Sequence, residues 1–248
     1  MSTWLTIPSK RSAAEVNRTL ALWRHQGYRI AIWRDPGDEP VECDLMIQRA
    51  YPGYAQAVNE LAFAVLEADP SCDWIVAGGD DTEPDPNHTA DEIARECSEH
   101  FVRCNVDFLK TEEEQPLKSV KTFGVMQPTG DRFASGSIDR IAGSPWLGRE
   151  WCLRANQGQG PFWPEFVHMY GDECLMRTAE ILGAYWRRPD LIHFHNHFMR
   201  ASDAIDSPAI QKPIPAHLVE WNSAPHWNAM KAIFKGLEAQ NFEPCMPL

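Results

Sequence analysis

The chain has 248 residues, 44% of them hydrophobic, which suffices for a substantial core in one large domain. A net charge of −12 repels nucleic acid and anionic membranes as a bulk property. No run of about 18 uncharged apolar residues occurs, so neither a membrane span nor an export leader is expected. The cysteines stand at 43, 72, 97, 104, 152, 174 and 245, without a C-x-x-C pair. An odd, scattered set argues against a disulfide framework and a cysteine zinc site, and it points to a reducing, cytoplasmic setting.

The first 35 residues read as strand, helix, strand. WLTIP is followed by a helix from about Ser12 to Gln26, with Ser12 and Glu15 as a capping box, Val16, Leu20, Leu22 and Trp23 as its apolar face, and Gly27 as its stop. YRIAIW is the second strand. After the turn DPGDEP come a short strand in VECDLMIQ and a helix over about 54–67, opened by Pro52-Gly53. The buried strand DWIVAGG then runs into GGDDTEPDPN, whose glycines, prolines and acids force an exposed turn. Thr89 and Glu92 cap a helix near 90–101. TEEEQPLK reads as a solvated loop and KTFGVMQPTG as a strand and turn. The stretch 143–170, dense in Gly, Pro and Trp, reads as a binding loop. A helix from Asp172 to about Leu182 and an apolar strand LIHFHNHF follow. The tail 201–248 holds one amphipathic helix, HWNAMKAIFKGLEAQ, suited to packing on the core or to assembly.

Three groups of residues carry chemistry. Asp80-Asp81, with Glu83 and Asp85 behind, stands at the mouth of a buried strand, where adjacent carboxylates are costly unless a cation or hydrogen bonds compensate. A hard divalent cation with diphosphate oxygens would do so; an acidic turn capping the next helix is the plainer alternative. Asp172 and Glu173 open a helix, which stabilises a carboxylate as the anion and keeps it available as a base. His193, His195 and His197 fall on one face if LIHFHNHF alternates as a strand. Trp146, Trp151 and Trp163 are candidates for stacking on sugar or base, and Arg149 and Arg154 for approaching an anionic ligand.

The segment GYAQAVNELAFAVLEADPSCDWIVAGGDDTEPDP resembles the GT-A glycosyltransferases, in which a Gly-x-x-x-Ala-x-Asn helix precedes a strand ending in the metal-binding acidic motif. Gly53, Ala57 and Asn59 stand at those positions, and TIPSKR resembles the first strand and its exit loop, so the likeness covers roughly residues 4–100. It implies an α/β fold: a Rossmann-like nucleotide-binding sheet flanked by helices, with an acceptor-side loop region and a C-terminal extension. The expected organisation is a GT-A domain over 1–200, divided into a nucleotide-sugar half (1–110) and an acceptor half (111–200), with 201–248 as the extension.

The resemblance further implies a donor site of Pro8, Ser9, Arg11, Asp35, Asn59 and Asp80, with base and ribose between the Pro8–Arg11 loop and Asp35. The usual Asp-x-Asp is here Asp80-Asp81-Thr82-Glu83. Asp81 is favoured as metal ligand and Asp80 as the ribose contact, while Asp80 with Glu83, or both aspartates, stay open. NQGQGPFWPEF resembles the glycine-rich acceptor-side loop, after which Asp172 is the candidate base and Glu173 the reserve. A late histidine, His195 or else His193 or His197, completes the ligands of Mn²⁺ or Mg²⁺. The implied activity is hexosyl or pentosyl transfer, with inversion, from a nucleoside-diphosphate-sugar to the hydroxyl of an acceptor: glycan, lipid-linked sugar, small molecule, protein or modified nucleobase. The competing readings are a metal-dependent hydrolase or phosphotransferase and a non-catalytic nucleotide-sugar-binding module.

Overall fold

The computed structural model describes residues 2–105, 121–131, 142–196 and 216–248. In chain order its elements begin β1 (Ser2–Pro8), α1 (Ala13–His25), β2 (Arg29–Arg34), β3 (Leu45–Gln48), α2 (Tyr54–Ala68), β4 (Cys72–Ala77), β5 (Thr82–Glu83) and α3 (Ala90–Asn105). They continue with β6 (Val125–Pro128), β7 (Trp146–Gly148), α4 (Arg149–Gly158), α5 (Gly171–Ile181), β8 (Tyr185–Arg188), β9 (Phe194–His195), α6 (Ala216–Trp221), α7 (Ala224–Ala239) and a short 3₁₀ turn, Glu243–Cys245.

Seven strands form one sheet in the order β3-β2-β1-β4-β7-β6-β8. β7 runs antiparallel to both its neighbours, and the other pairings are parallel. β2 and β4 read as near-continuous apolar runs because helices cover both faces of the sheet; every residue of β4 is buried. One layer places Val58, Leu61 and Val65 of α2 with Trp151 of α4 and Leu175 of α5. The other places Val16, Leu20 and Trp23 of α1 with Ile93, Cys97 and Phe101 of α3. This is the flanked α/β sheet expected from the sequence. The Ser12–Glu15 capping box forms as read, and Thr89 and Glu92 make the same exchange ahead of α3.

Two expectations need correction, and one strand was not expected. The stretch 143–170 is not one loop: it contributes β7 to the sheet and then α4, and Trp146 and Trp151 are fully buried, so neither presents a face to a ligand. LIHFHNHF is strand at Phe194–His195 alone among its described residues, paired with β5 in a separate two-stranded ribbon. YWRR, which carries no strand alternation, is β8 at the sheet margin.

In the tail, α7 buries Met230, Phe234 and Leu237 against the α2 layer. The Leu248 amide donates to the Arg154 carbonyl at 3.0 Å. Among the described residues no helix is long and apolar enough to cross a membrane.

The chain enters α2 through Gly53, at φ 110 and ψ 162, a backbone region essentially restricted to glycine. A β-carbon there would meet Val167 at 2.8 Å, and the Tyr54 amide donates to the Val167 carbonyl at 2.7 Å. Gly53 thus joins α2 to the segment leading into α5. Gly53→Ala should destabilise the protein by about 1–3 kcal/mol. Urea unfolding checks this, and an unchanged midpoint at unchanged slope would contradict it.

Candidate active site

The chain lays β2 and then β3 to one side of β1, and returns to place β4 on the other. The exits of β1 and β4 therefore diverge at a topological switch point, where open α/β sheets hold ligands. The two exit loops meet there through side chains. Ser9 Oγ donates to Asp80 Oδ2 at 2.5 Å, and Arg11 Nε donates to Asp80 Oδ1 at 2.8 Å. Arg11 Nη2 also lies 3.6 Å from Asp81 Oδ2. The β1 loop is fixed from beneath by Arg34, 2% exposed, whose Nη1 donates to the carbonyls of Ser9 and Arg11 at 3.0 and 2.8 Å. Burial raises the Asp80 carboxyl above its ordinary pKa; Arg11 and Ser9 pull it down, and the charge of Asp81 adds to the rise.

Asp81 faces the β5–β9 ribbon. Thr82 pairs with His195 in register, and the Asn196 amide donates to the Asp81 carbonyl at 2.7 Å. This brings His195 Nε2 to 3.3 Å from Asp81 Oδ1. The His195 amide donates to Asp131 Oδ2 at 2.9 Å, which ties the ribbon to the turn after β6. His193 is in a different place. Its ring is buried, with Nδ1 3.1 Å from Ser144 Oγ and the ring edge-on to Trp23 at 5.1 Å. Burial depresses its pKa to about 4. Because the strand is two residues long, alternation does not carry His193 to the face of His195; His197 lies outside the described residues.

Glu83 pairs with Phe194 in the ribbon. Asp85, fully buried, accepts from the amides of Asn87 and Ile192 and lies 2.9 Å from His88 Nδ1. Burial works to raise its pKa, but these contacts hold it below the usual carboxylate range. Asp85 is thereby engaged in holding the acidic turn.

Among the described residues no group of three or more His, Cys, Asp or Glu forms a metal cluster. Asp81 and His195 are two donors, a hard oxygen and an imidazole nitrogen at a partly open mouth. Such a pair does not make an all-protein cage. It fits Mg²⁺ or Mn²⁺ of the kind that takes its remaining ligands from phosphate oxygens and water.

On the other flank of the crevice, Asp35 Oδ2 accepts from Lys10 Nζ at 2.8 Å and Asp35 Oδ1 from the Tyr51 amide at 2.9 Å. Burial, then the charges of Asp35 and Asp80, raise the Tyr51 phenol. Burial, then Tyr51 and Asp172, raise that of Tyr54. The tyrosine pair thus stands within electrostatic reach of Asp35, Asp80 and Asp172. Asp172 lies in the first turn of α5, where Asp172 Oδ1 accepts from the Glu173 amide at 2.8 Å. The helix start does not favour the Asp172 anion as expected: burial raises its pKa, that hydrogen bond lowers it only in part, and the charge of Glu173 raises it again.

Asn59 is not brought to the crevice mouth. Its Nδ2 donates to the carbonyls of Gln159 and Phe162 at 3.1 and 2.8 Å, and its Oδ1 accepts from the Phe162 amide at 3.0 Å. The side chain clamps the glycine-rich loop, and Gly160, at φ 115, leaves room for it. Arg149 Nη1 donates to the Cys72 carbonyl, at the end of β4 opposite to Asp80, and the Arg154 guanidinium donates to the Leu248 carbonyl. Neither arginine is at the crevice. The sequence reading missed Arg34, Tyr51, Tyr54 and Asp131. Of these, Asp131 alone carried a local signal, as an acid directly after the turn of KTFGVMQPTG.

Neither a protein-family model nor a curated protein matches the sequence. The search of solved structures returns glycosyltransferases. One is involved in the glycosylation of the major capsid of PBCV-1, at 11% identity, with 61% of each chain covered and a TM-score of 0.33. Another is the catalytic domain of Drosophila beta1,4galactosyltransferase 7 in complex with xylobiose, at 14% identity over 79% of this chain and 71% of that one, with a TM-score of 0.39. A mutant of the same Drosophila enzyme, in complex with manganese, UDP-Gal and xylobiose, matches at 14% identity and the same coverage, with a TM-score of 0.40. The chain spans 61% of the PBCV-1 protein, and likeness at this distance gives no residue a role.

The raised pKa of Asp172 has a sign. A carboxyl whose folded pKa lies above its unfolded value favours folding most below the unfolded pKa, and that advantage is lost as pH rises through the folded pKa. Asp172→Asn, an isostere of the protonated form, should therefore raise stability relative to the wild type at pH 7. The gain should vanish near the unfolded value of about 4. Paired urea titrations at the two pH values measure the difference, and an equal effect at both would contradict the shift.

Proposed function

We propose that this chain is a metal-assisted glycosyltransferase that moves a sugar from a nucleoside-diphosphate-sugar to an acceptor hydroxyl with inversion. The observation that supports it best is the meeting of the β1 and β4 exit loops at the switch point. There Ser9, Arg11, Asp80, Asp81 and His195 form one connected polar mouth. Such a mouth, cationic at Arg11 and acidic at Asp81, suits a diphosphate accompanied by a cation.

In this reading Asp81 and His195 hold Mn²⁺ or Mg²⁺, which when bound offsets negative charge on the departing nucleoside diphosphate. Ser9 and Arg11 hold Asp80 in place as the ribose contact. Pro8, which ends β1, and Asp35, tied to Lys10, border the base. Asn59 serves by fixing the glycine-rich loop ahead of α5. Asp172 accepts the proton of the acceptor hydroxyl as its oxygen bonds to the anomeric carbon. The bond from that carbon to the diphosphate oxygen breaks on the opposite face, and the diphosphate leaves with the electron pair. The raised pKa of Asp172 makes it a stronger base than an ordinary carboxylate. Glu173, adjacent on the same helix turn, is the reserve for this role.

Two outcomes follow. Asp81→Ala should abolish the enhancement of nucleotide binding by metal without lowering the unfolding midpoint of the free protein. Metal-enhanced binding that survives in the variant removes Asp81 from the site. Asp172→Asn should lower kcat by roughly 10²–10⁴-fold while donor affinity persists. Steady-state kinetics beside nucleotide titration test this, and an unchanged kcat moves the role from Asp172 to another group.

A further inference from the structure

Helix α7 has one stripe of large apolar residues at 227, 230, 234 and 237. Met230, Phe234 and Leu237 are buried, while Trp227, at the N-terminal end of the stripe, is 44% exposed. Its ring packs against Tyr170 at an interplanar angle of 59°, with centroids 5.3 Å apart, and Tyr170 also packs on Phe234 at 5.2 Å. Tyr170 directly precedes Gly171 and Asp172 and is held in the left-handed region, at φ 67 and ψ −8, a conformation that costs a non-glycine residue free energy. The neighbouring α6 contributes Trp221, whose ring meets Tyr51 at 6.4 Å. The tail thus sets aromatic rings at two places, Trp221 against Tyr51 and Trp227 against Tyr170, just ahead of the first turn of α5.

We infer that Trp227, seated on Tyr170, is the platform for a neutral sugar ring of the acceptor, which makes the acceptor a carbohydrate. This rests on the proposed glycosyl transfer and narrows its acceptor. A pyranose or furanose has an apolar C–H face and a hydroxyl edge. An indole left open against Tyr170, two residues before Asp172, offers the ring apolar contact, and Asp172 accepts from a hydroxyl. Trp227 continues the buried row of Met230, Phe234 and Leu237 and is its one exposed member.

The test is saturation-transfer NMR on the full chain with methyl β-glucoside, methyl β-galactoside and methyl β-xyloside, and with uridine and adenosine as controls. At least one glycoside should receive saturation at its ring protons. Trp227→Ala should weaken that glycoside's binding about fivefold or more, as expected for loss of a ring contact, while Trp227→Phe retains most of it. Failure of all three glycosides to bind, binding indifferent to Trp227→Ala, or a nucleoside that displaces the glycoside overturns the inference. Titration of UDP and GDP with Mn²⁺ into the same Trp227→Ala protein separates the two readings. Nucleotide binding retained in Trp227→Ala shows that the variant is folded; a wild type that binds nucleotide but no glycoside sinks the acceptor platform alone, whereas nucleotide that never binds the wild type sinks the donor site on which it rests.

Discussion

Two adjacent carboxylates at the end of a fully buried strand are the constraint around which this molecule is arranged. β4 delivers Asp80 and Asp81 to a mouth where their charges repel and where water alone screens them poorly. The answer is spread over the chain. Ser9 and Arg11, from the exit of β1, compensate Asp80, and Arg34, from the end of β2, fixes the loop that presents them. Asp81 is met by His195, which arrives on a two-residue ribbon anchored at Asp131. Four distant segments are thus committed to one pair of acids, more than an acidic turn requires.

The second half is joined to the first through α2. The Gly53, Ala57 and Asn59 pattern, of which the resemblance gives Asn59 to the donor site, has a mechanical meaning here. Gly53 lets Val167 approach, Ala57 is buried in the core, and Asn59 saturates three backbone groups of the 159–162 loop. Removing a buried amide that makes such bonds leaves several partners unsatisfied, at roughly 1–3 kcal/mol each. The helix that carries the first half's packing therefore also positions the loop and the start of α5, and so Asp172. The tail completes the arrangement by backing α5, with the Cys174 and Cys245 sulfurs 3.8 Å apart and Phe234 against Tyr170.

The opening βαβ unit, the second helix and the acidic strand end were legible because each carries a local signal: capping boxes, apolar runs and glycine or proline stops. What escaped was set by contacts distant in sequence. Period-two alternation grouped three histidines, but the strand covers two residues, and His193 went into the core against Trp23. Gly, Pro and Trp between 143 and 170 resembled a loop, because a three-residue strand buried on all sides leaves no periodic trace. Arg149 was a reasonable anion ligand by charge, yet β7 sets it at the wrong end of β4. Arg34, Tyr51 and Tyr54 look like ordinary strand, loop and helix residues, and their place beside the acids follows from the sheet order, which no short pattern encodes.

The central claim is that the switch-point crevice binds a nucleoside diphosphate together with a divalent cation. Isothermal titration of UDP, GDP and ADP into the wild-type protein, with Mn²⁺ and with chelator, measures it directly. At least one nucleotide should bind with Mn²⁺ present and lose affinity severalfold or more in its absence. Binding that is equal with and without the cation, or no binding by any of the three, would contradict the account.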